Sequence, residues 1–309
     1  MNENDSLPFR DDLVALFPGQ GSLAGGAGTE WQASRHWNQV DVISEASGVD
    51  VAELLLTMSS EDVVRTDRAQ LATFTLSTIG YLELLDKGIR PRYLLGHSLG
   101  EFSALVASGL LTIADGARLI GVRGAAMARA AATTSGTMVA VMGGDPGAKE
   151  ALEALEGVWI ANINGTGQIV VSGTTEGLAR LQETHKELGW KRCTPLPVGG
   201  AFHSPLMAPA QAELDDALNQ VTWGETNALL IANVDGAVHT TANEWQSLLS
   251  RQLTSPVEFL DATLSLPESV TSTIELPPGS VLTGLTKRIR SFAAQFAPST
   301  LSELQELSL

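Results

Sequence analysis

The chain has 309 residues, 44% hydrophobic and 17% charged, with 35 acidic against 19 basic side chains and a formal net charge of −16. This composition excludes a disordered or fibrous chain, and the length suits one large domain or two unequal ones. The negative field opposes binding to nucleic acid or to an anionic membrane surface, and a single cysteine, Cys193, can form neither an internal disulfide nor a thiolate zinc site. The opening MNENDSLPFRDD lacks the apolar core of a signal peptide, and no run of about 20 apolar residues follows. The expectation is a cytoplasmic protein with no membrane segment.

Leu13 to Phe17 is an apolar run that stops at Pro18-Gly19-Gln20-Gly21-Ser22, which reads as a short buried strand emptying into a glycine loop. From Asp67 to Lys87 the apolar spacing predicts a helix, with Asp67 as its N-cap and Gly88 as its stop. Tyr93-Leu94-Leu95 reads as a second buried strand, ended by Gly96-His97-Ser98-Leu99-Gly100. A helix carrying Phe102, Leu105, Val106 and Leu110 follows, then another from about 113 to 131. Strand, sharp turn and helix in this order predict a parallel α/β sheet.

The stretch 132–198 has a different grammar. Strands at 138–142, 158–163, 168–172 and 191–198 alternate with helices at 146–156 and 174–188, and a hairpin turns at Asn164-Gly165-Thr166-Gly167. This β-α-β-β-α-β order predicts a ferredoxin-like subdomain at 132–198, inserted in a large α/β domain made of 1–131 and 199–309. Further strands are expected at 228–233 and 272–275. The tail from Phe292 is weakly amphipathic and carries no clear element.

Gly96-His97-Ser98-Leu99-Gly100 matches G-x-S-x-G. With 30 glycines in the chain the pattern alone is weak, but its place between an apolar run and a helix is that of a nucleophile elbow. In such a turn the Ser98 hydroxyl is exposed, and the helix start offers the Leu99 N–H to an oxyanion. The alternative is a tight turn with Ser98 as a helix cap. Five histidines could serve as base. His97 adjoins the serine, but neighbouring side chains on a turn diverge, and His36 and His185 sit in polar helical stretches. His203 lies at a glycine-rich strand exit, Val198-Gly199-Gly200-Ala201-Phe202-His203. A plain esterase would instead combine Ser98 with Asp235 and His239.

Arg123 shares its helix face with Leu119, Ile120, Ala126 and Met127, which puts a guanidinium on an apolar stripe. Burying it requires an anion, from a protein carboxylate or from a substrate. Arg118 lies about 140° further round and reads as a solvated charge.

Together these residues resemble the malonyl-CoA:acyl carrier protein transacylase family. The resemblance runs from about residue 13 to 290. It rests on Phe17-Pro18-Gly19-Gln20-Gly21-Ser22, Gly96 to Glu101, Arg123-Gly124, Gly200-Ala201-Phe202-His203-Ser204, Asn233-Val234-Asp235, Arg251-Gln252-Leu253 with Pro256-Val257, and Val281 to Leu285. It implies a hydrolase-like parallel-sheet α/β domain with a ferredoxin-like insertion and the active site between them. It also implies Ser98 as nucleophile, His203 as general base oriented by the Gln252 backbone carbonyl, and the N–H groups of Gln20 and Leu99 as oxyanion hole. Arg123 would grip the malonyl carboxylate, with Gln70, Phe202, Asn164 and His97 around the acyl group and the thioester arm.

The reaction implied is ping-pong transfer of malonyl from CoA to the phosphopantetheine thiol of an acyl carrier protein, with no metal and no bound cofactor. The alternative on this scaffold is an acyl hydrolase. The carrier would meet the enzyme transiently, and a monomer is expected. Because carrier proteins are acidic, Lys287, Arg288 and Arg290 are the candidate docking face. Four positions depart from the family pattern: Leu23, Leu71, Ala128 and the run Pro277-Pro278-Gly279-Ser280.

Overall fold

The computed structural model describes residues 7–308 apart from 22 and 64, so Ser22, the last residue of the first glycine motif, lies outside the described residues. The strands in chain order are β1 (Phe9–Phe17), β2 (Arg90–Gly96), β3 (Gly136–Met142), β4 (Val158–Gly165), β5 (Gln168–Thr174), β6 (Arg192–Pro195), β7 (Leu229–Ile231), β8 (Val238–His239), β9 (Ser272–Glu275) and β10 (Ala294–Phe296). They build two sheets, ordered β10-β9-β1-β2-β7-β8 and β4-β5-β3-β6.

The first sheet is parallel except for its β8 edge. Both of its faces are covered, which is why β1 reads as an unbroken apolar run rather than an alternating one. Leu13, Ala15 and Phe17 point into the main core with Phe74, Phe102 and Ile120. Val14 and Leu16 point the other way, against Phe259, Leu282 and Leu285. The central helix Thr66–Asp86 has fifteen buried residues of twenty-one, so it is packed nearly all round rather than along one stripe. Its N-cap is Arg65, without a side-chain cap, and the expected capping role of Asp67 is not observed, because the helix starts at Thr66 and draws Asp67 into its first turn.

The second sheet is wholly antiparallel. Its order, second-third-first-fourth by position in the β-α-β-β-α-β unit, is the ferredoxin-like arrangement. Helices Ala148–Glu153 and Thr175–Thr184 cover one face, with Val139, Val141, Leu152, Val171 and Leu181 in a core of their own. The other face presents Met138 and Val170 to the main body. A parallel bridge between Asn162 and Val257 ties β4 to the segment that follows Gln252.

The tail differs from expectation. It contributes the edge strand β10, paired to β9, and the helix Leu301–Glu306 capped by Thr300. Three-residue strands are too short for periodicity to reveal.

Candidate active site

β2 ends at Gly96, and the helix Gly100–Ser108 begins four residues later. Two close approaches make this turn possible. A Cβ on Gly96 would lie 2.1 Å from the Glu101 nitrogen, and one on Gly100 would lie 2.0 Å from the Phe17 carbonyl oxygen. Ser98 between them has φ +54°, and His203 has φ +56°; they are the only two non-glycine residues with positive φ among the described residues. A left-handed backbone outside glycine costs about 1–3 kcal/mol, and both instances meet at one hydroxyl.

The Ser98 Oγ lies 2.8 Å from His203 Nε2. His203 Nδ1 faces two backbone carbonyls, Gln252 at 3.0 Å and Ser255 at 3.2 Å. Those acceptors place the ring proton on Nδ1, leaving Nε2 to accept from the serine. Ser98 is therefore no helix cap: the cap position is Leu99, and the hydroxyl is turned to the imidazole. His203 is 4% exposed, and burial, joined by the charge of Arg123, pushes its pKa down to about 3.

Arg123, on the helix Ile113–Thr133, is 1% exposed. Its Nη1 donates to Gln70 Oε1 at 2.5 Å, its Nε and Nη2 to Gln252 Oε1 at 3.3 and 3.1 Å, and Nη2 also to Ser98 Oγ at 3.0 Å. Among the described residues no carboxylate forms an ion pair with it. Its partners are neutral carbonyls and a hydroxyl, and burial pulls its pKa down to about 9 against the opposing field of Glu101. A buried cation held by neutral acceptors is a site for an external anion. Arg118, by contrast, is exposed and paired with Asp115.

A cavity of about 150 Å³ opens over the serine, lined by Gln20, His97, Ser98, Met127, Asn162, Phe202 and His203 among others. It shares Gln20, Val198 and Phe202 with a groove of about 560 Å³ that also touches Leu23 and Ala128. Among the described residues nothing accepts from the backbone N–H of Gln20 or of Leu99. Two acceptors in the cavity wall, Gln20 Oε1 and Asn162 Oδ1, are buried without a partner. His97 Nε2 lies 3.0 Å from Asn164 Oδ1, and burial lowers the pKa of the ring, so this imidazole is a neutral donor.

Sequence reasoning missed three supports. Asn233 accepts from the Ser98 N–H at 2.7 Å and donates to the Gly96 carbonyl at 2.6 Å, pinning both ends of the elbow. Glu101, 1% exposed, accepts from the Asn233 N–H at 2.7 Å and from Gln252 Nε2 at 2.5 Å. The Gln252 side chain also holds Arg123, beyond the service of its backbone carbonyl. All three stood inside the motifs that carry the resemblance, and that was their only signal.

Other expectations fall away from the site. His36 lies in a turn rather than a helix and is hydrogen-bonded through Nε2 to Asp86 Oδ2 at 2.7 Å. His239 does pair with Asp235, at 3.1 Å, but the serine's partner is His203, which removes the esterase arrangement. Lys287 and Arg288 are exposed in the last turn of the helix Val281–Ile289. Arg290 is not part of that face: its guanidinium is bound to the carbonyls of Leu266, Pro267 and Val270, which a short loop leaves without strand partners.

Residues 14–301 match the acyl transferase domain family. The chain is 38% identical over 288 residues to the malonyl CoA-acyl carrier protein transacylase of Bacillus subtilis, covering 90% of each. Its backbone superposes on the acyl carrier protein S-malonyltransferase of Vibrio cholerae with a TM-score of 0.90 at 33% identity, covering 96% of this chain and all of that one. It is also similar, at 30% identity and a TM-score of 0.88 over 95% and 98% of the two chains, to a malonyl-transacylase in complex with the holo acyl-carrier protein of a type II PKS.

Proposed function

This chain belongs to the malonyl-CoA:acyl carrier protein transacylase family, and we propose from that membership that it moves a malonyl group from CoA to the phosphopantetheine thiol of an acyl carrier protein by way of an ester on Ser98. One observation carries the reading. The same hydroxyl lies within hydrogen-bonding distance of an unprotonated imidazole nitrogen and of a buried guanidinium that has no carboxylate partner among the described residues.

In this reading the malonyl carboxylate takes the Arg123 guanidinium in a bidentate pair, which presents the thioester carbonyl to Ser98. His203 Nε2 accepts the Oγ proton as Oγ attacks. The free N–H groups of Gln20 and Leu99 receive the oxyanion, and the CoA sulfur leaves with the proton held by His203. The thiol of the carrier's pantetheine then repeats these steps in reverse on the malonyl-serine. One thioester is exchanged for another, so the chain's own groups suffice. The charge of Arg123 is one of the forces that lower the pKa of His203, and a carboxylate on Arg123 cancels it, so the base strengthens as the acyl group arrives.

The unpartnered acceptors Gln20 Oε1 and Asn162 Oδ1 suit the amide N–H groups of a pantetheine arm. Phe202, 4% exposed beside the cavity, crowds the position an α-methyl would take, a discrimination of about 1–3 kcal/mol. We assign the working division of the chain as 132–198 against 1–131 with 199–309, the acyl group lying between the two parts. Lys287 and Arg288 are assigned to the carrier's acidic face, and the enzyme is taken to act as a cytoplasmic monomer. No helix among the described residues is long and apolar enough to cross a membrane.

Intact mass after brief incubation with malonyl-CoA tests the proposal. A malonyl adduct that is absent in Ser98→Ala and passes to a holo carrier protein is the expected result. Release of free malonate without transfer would replace the transferase by a hydrolase.

A further inference from the structure

The Gln252 side chain lies between an acidic residue and the acyl-gripping arginine, and its amide has two directions. Its Nε2 group carries two hydrogens and faces two acceptors, Glu101 Oε2 at 2.5 Å and the Ser98 carbonyl at 3.0 Å. Its Oε1 faces two donors of Arg123, Nε at 3.3 Å and Nη2 at 3.1 Å. Turning the amide over would set oxygen against oxygen on one side and N–H against N–H on the other. Glu101 is itself fixed, in the first turn of the helix after the elbow, with its second oxygen accepting from the Asn233 N–H.

We propose that Glu101 is a positioning residue that sets the direction of the Gln252 amide and through it aims the Arg123 guanidinium at the substrate's carboxylate. Gln70 holds Nη1 of the guanidinium, and Gln252 holds the opposite edge through Nε and Nη2. With both carbonyls in place the buried group has one orientation. The pairing of Ser98 with His203 depends little on this amide, which touches the serine only at its carbonyl, because His203 rests on the backbone carbonyls of Gln252 and Ser255 and the Ser98 N–H is held by Asn233. Glu101 therefore acts on which acyl group is accepted, more than on the attack itself. The proposal rests on the malonyl-transfer reading above.

Glu101→Gln keeps the volume and removes the acceptor-only character. The new amide offers one oxygen to two donors, the Asn233 N–H and Gln252 Nε2, so the Gln252 amide loses its fixed direction. The experiment is rapid loading of Ser98, followed by intact mass, with malonyl-CoA and separately with acetyl-CoA. The expected result is a fall in the malonyl-to-acetyl loading ratio of roughly ten- to hundredfold, the range for hydrogen bonds to a charged group. Gln252→Met keeps the backbone carbonyl, gives the same change in ratio on its own, and loses no more when combined with Glu101→Gln. Equal loss of both acyl groups, an unchanged ratio, or losses that multiply in the double variant would overturn the inference alone. A wild-type protein that loads neither acyl group would overturn the transferase reading and this inference with it.

Discussion

His203 is buried as a neutral base, and that makes the protein acid-sensitive in a way a single substitution can isolate. In the unfolded chain its imidazole titrates near 6.5; in the fold, burial and the neighbouring Arg123 push it down to about 3. As pH falls below 6.5 the unfolded chain takes up a proton that the native state refuses, so stability present at neutral pH is lost progressively until the folded pKa is reached. Each pH unit in that window costs about 1.4 kcal/mol, so lowering the pH from about 7 to about 5 removes about 2 kcal/mol through this group alone. His203→Gln cannot take that proton. Urea denaturation of both proteins across this range is expected to give curves that converge, the wild type losing about 2 kcal/mol more than the variant. Groups present in both chains, such as Glu101, whose pKa burial raises to about 7, and His97, drop out of the difference. The strain at φ +56° is independent of pH. Curves that fall in parallel would show that His203 is protonated normally in the fold, and would remove it as the ready base.

Three further outcomes follow from the geometry. Arg123→Ala deletes two or more charge-assisted hydrogen bonds to a carboxylate, about 3–6 kcal/mol, and is expected to lower malonyl loading at least a hundredfold while acetyl loading changes far less; single-turnover loading checks this. Gly100→Ala drives a Cβ to 2.0 Å from the Phe17 carbonyl and is expected to destabilise by about 3 kcal/mol or more, whereas Gly284→Ala, with open space around it in a helix, gains about 0.5–1 kcal/mol; urea midpoints separate them. Arg288→Glu is expected to reduce transfer to the carrier and flatten its salt dependence with CoA-side loading unchanged, while Arg290→Ala acts on stability instead, seen as a lower Tm with transfer retained.

The residues that react were legible because each is exceptional against its own local pattern. Ser98 sits in a turn that glycines make possible, His203 at a glycine-rich strand exit, and Arg123 on an apolar helix stripe. β1, β9 and the four strands of the second sheet were legible too, since their runs are bounded by turn residues. Glu101, Asn233 and the Gln252 side chain were not, because nothing in their neighbours along the chain marks them. Their meaning lies in pairings across 132 and 151 residues, which only the packed sheet and helices create. Arg290 misled for a related reason: a cation next to Lys287 and Arg288 reads as a surface charge until the carbonyls it serves are seen. The long helix Thr66–Asp86 was legible as a helix, but its near-complete enclosure, which buries Thr73 and Ser77 as well as the apolar positions, comes from elements packed on it from several sides.

Among the described residues, left-handed strain outside glycine and a buried cation without a carboxylate partner meet at one place. The two left-handed non-glycine residues among those described are the two whose side chains meet at Oγ, and the Arg123 guanidinium beside them is buried among neutral acceptors. Each lowers the stability of the free protein, and each is relieved or used by an acyl group that brings its own carboxylate. A carboxylate on Arg123 supplies the missing counter-charge, withdraws the guanidinium's hold on Oγ, and lifts the field that lowers the pKa of His203. A neutral acyl group does none of these. Selectivity for the acyl group and the basicity of His203 are therefore both tied to the same buried charge: removing that charge should move both, whereas re-aiming it through Glu101 should move mainly the selectivity.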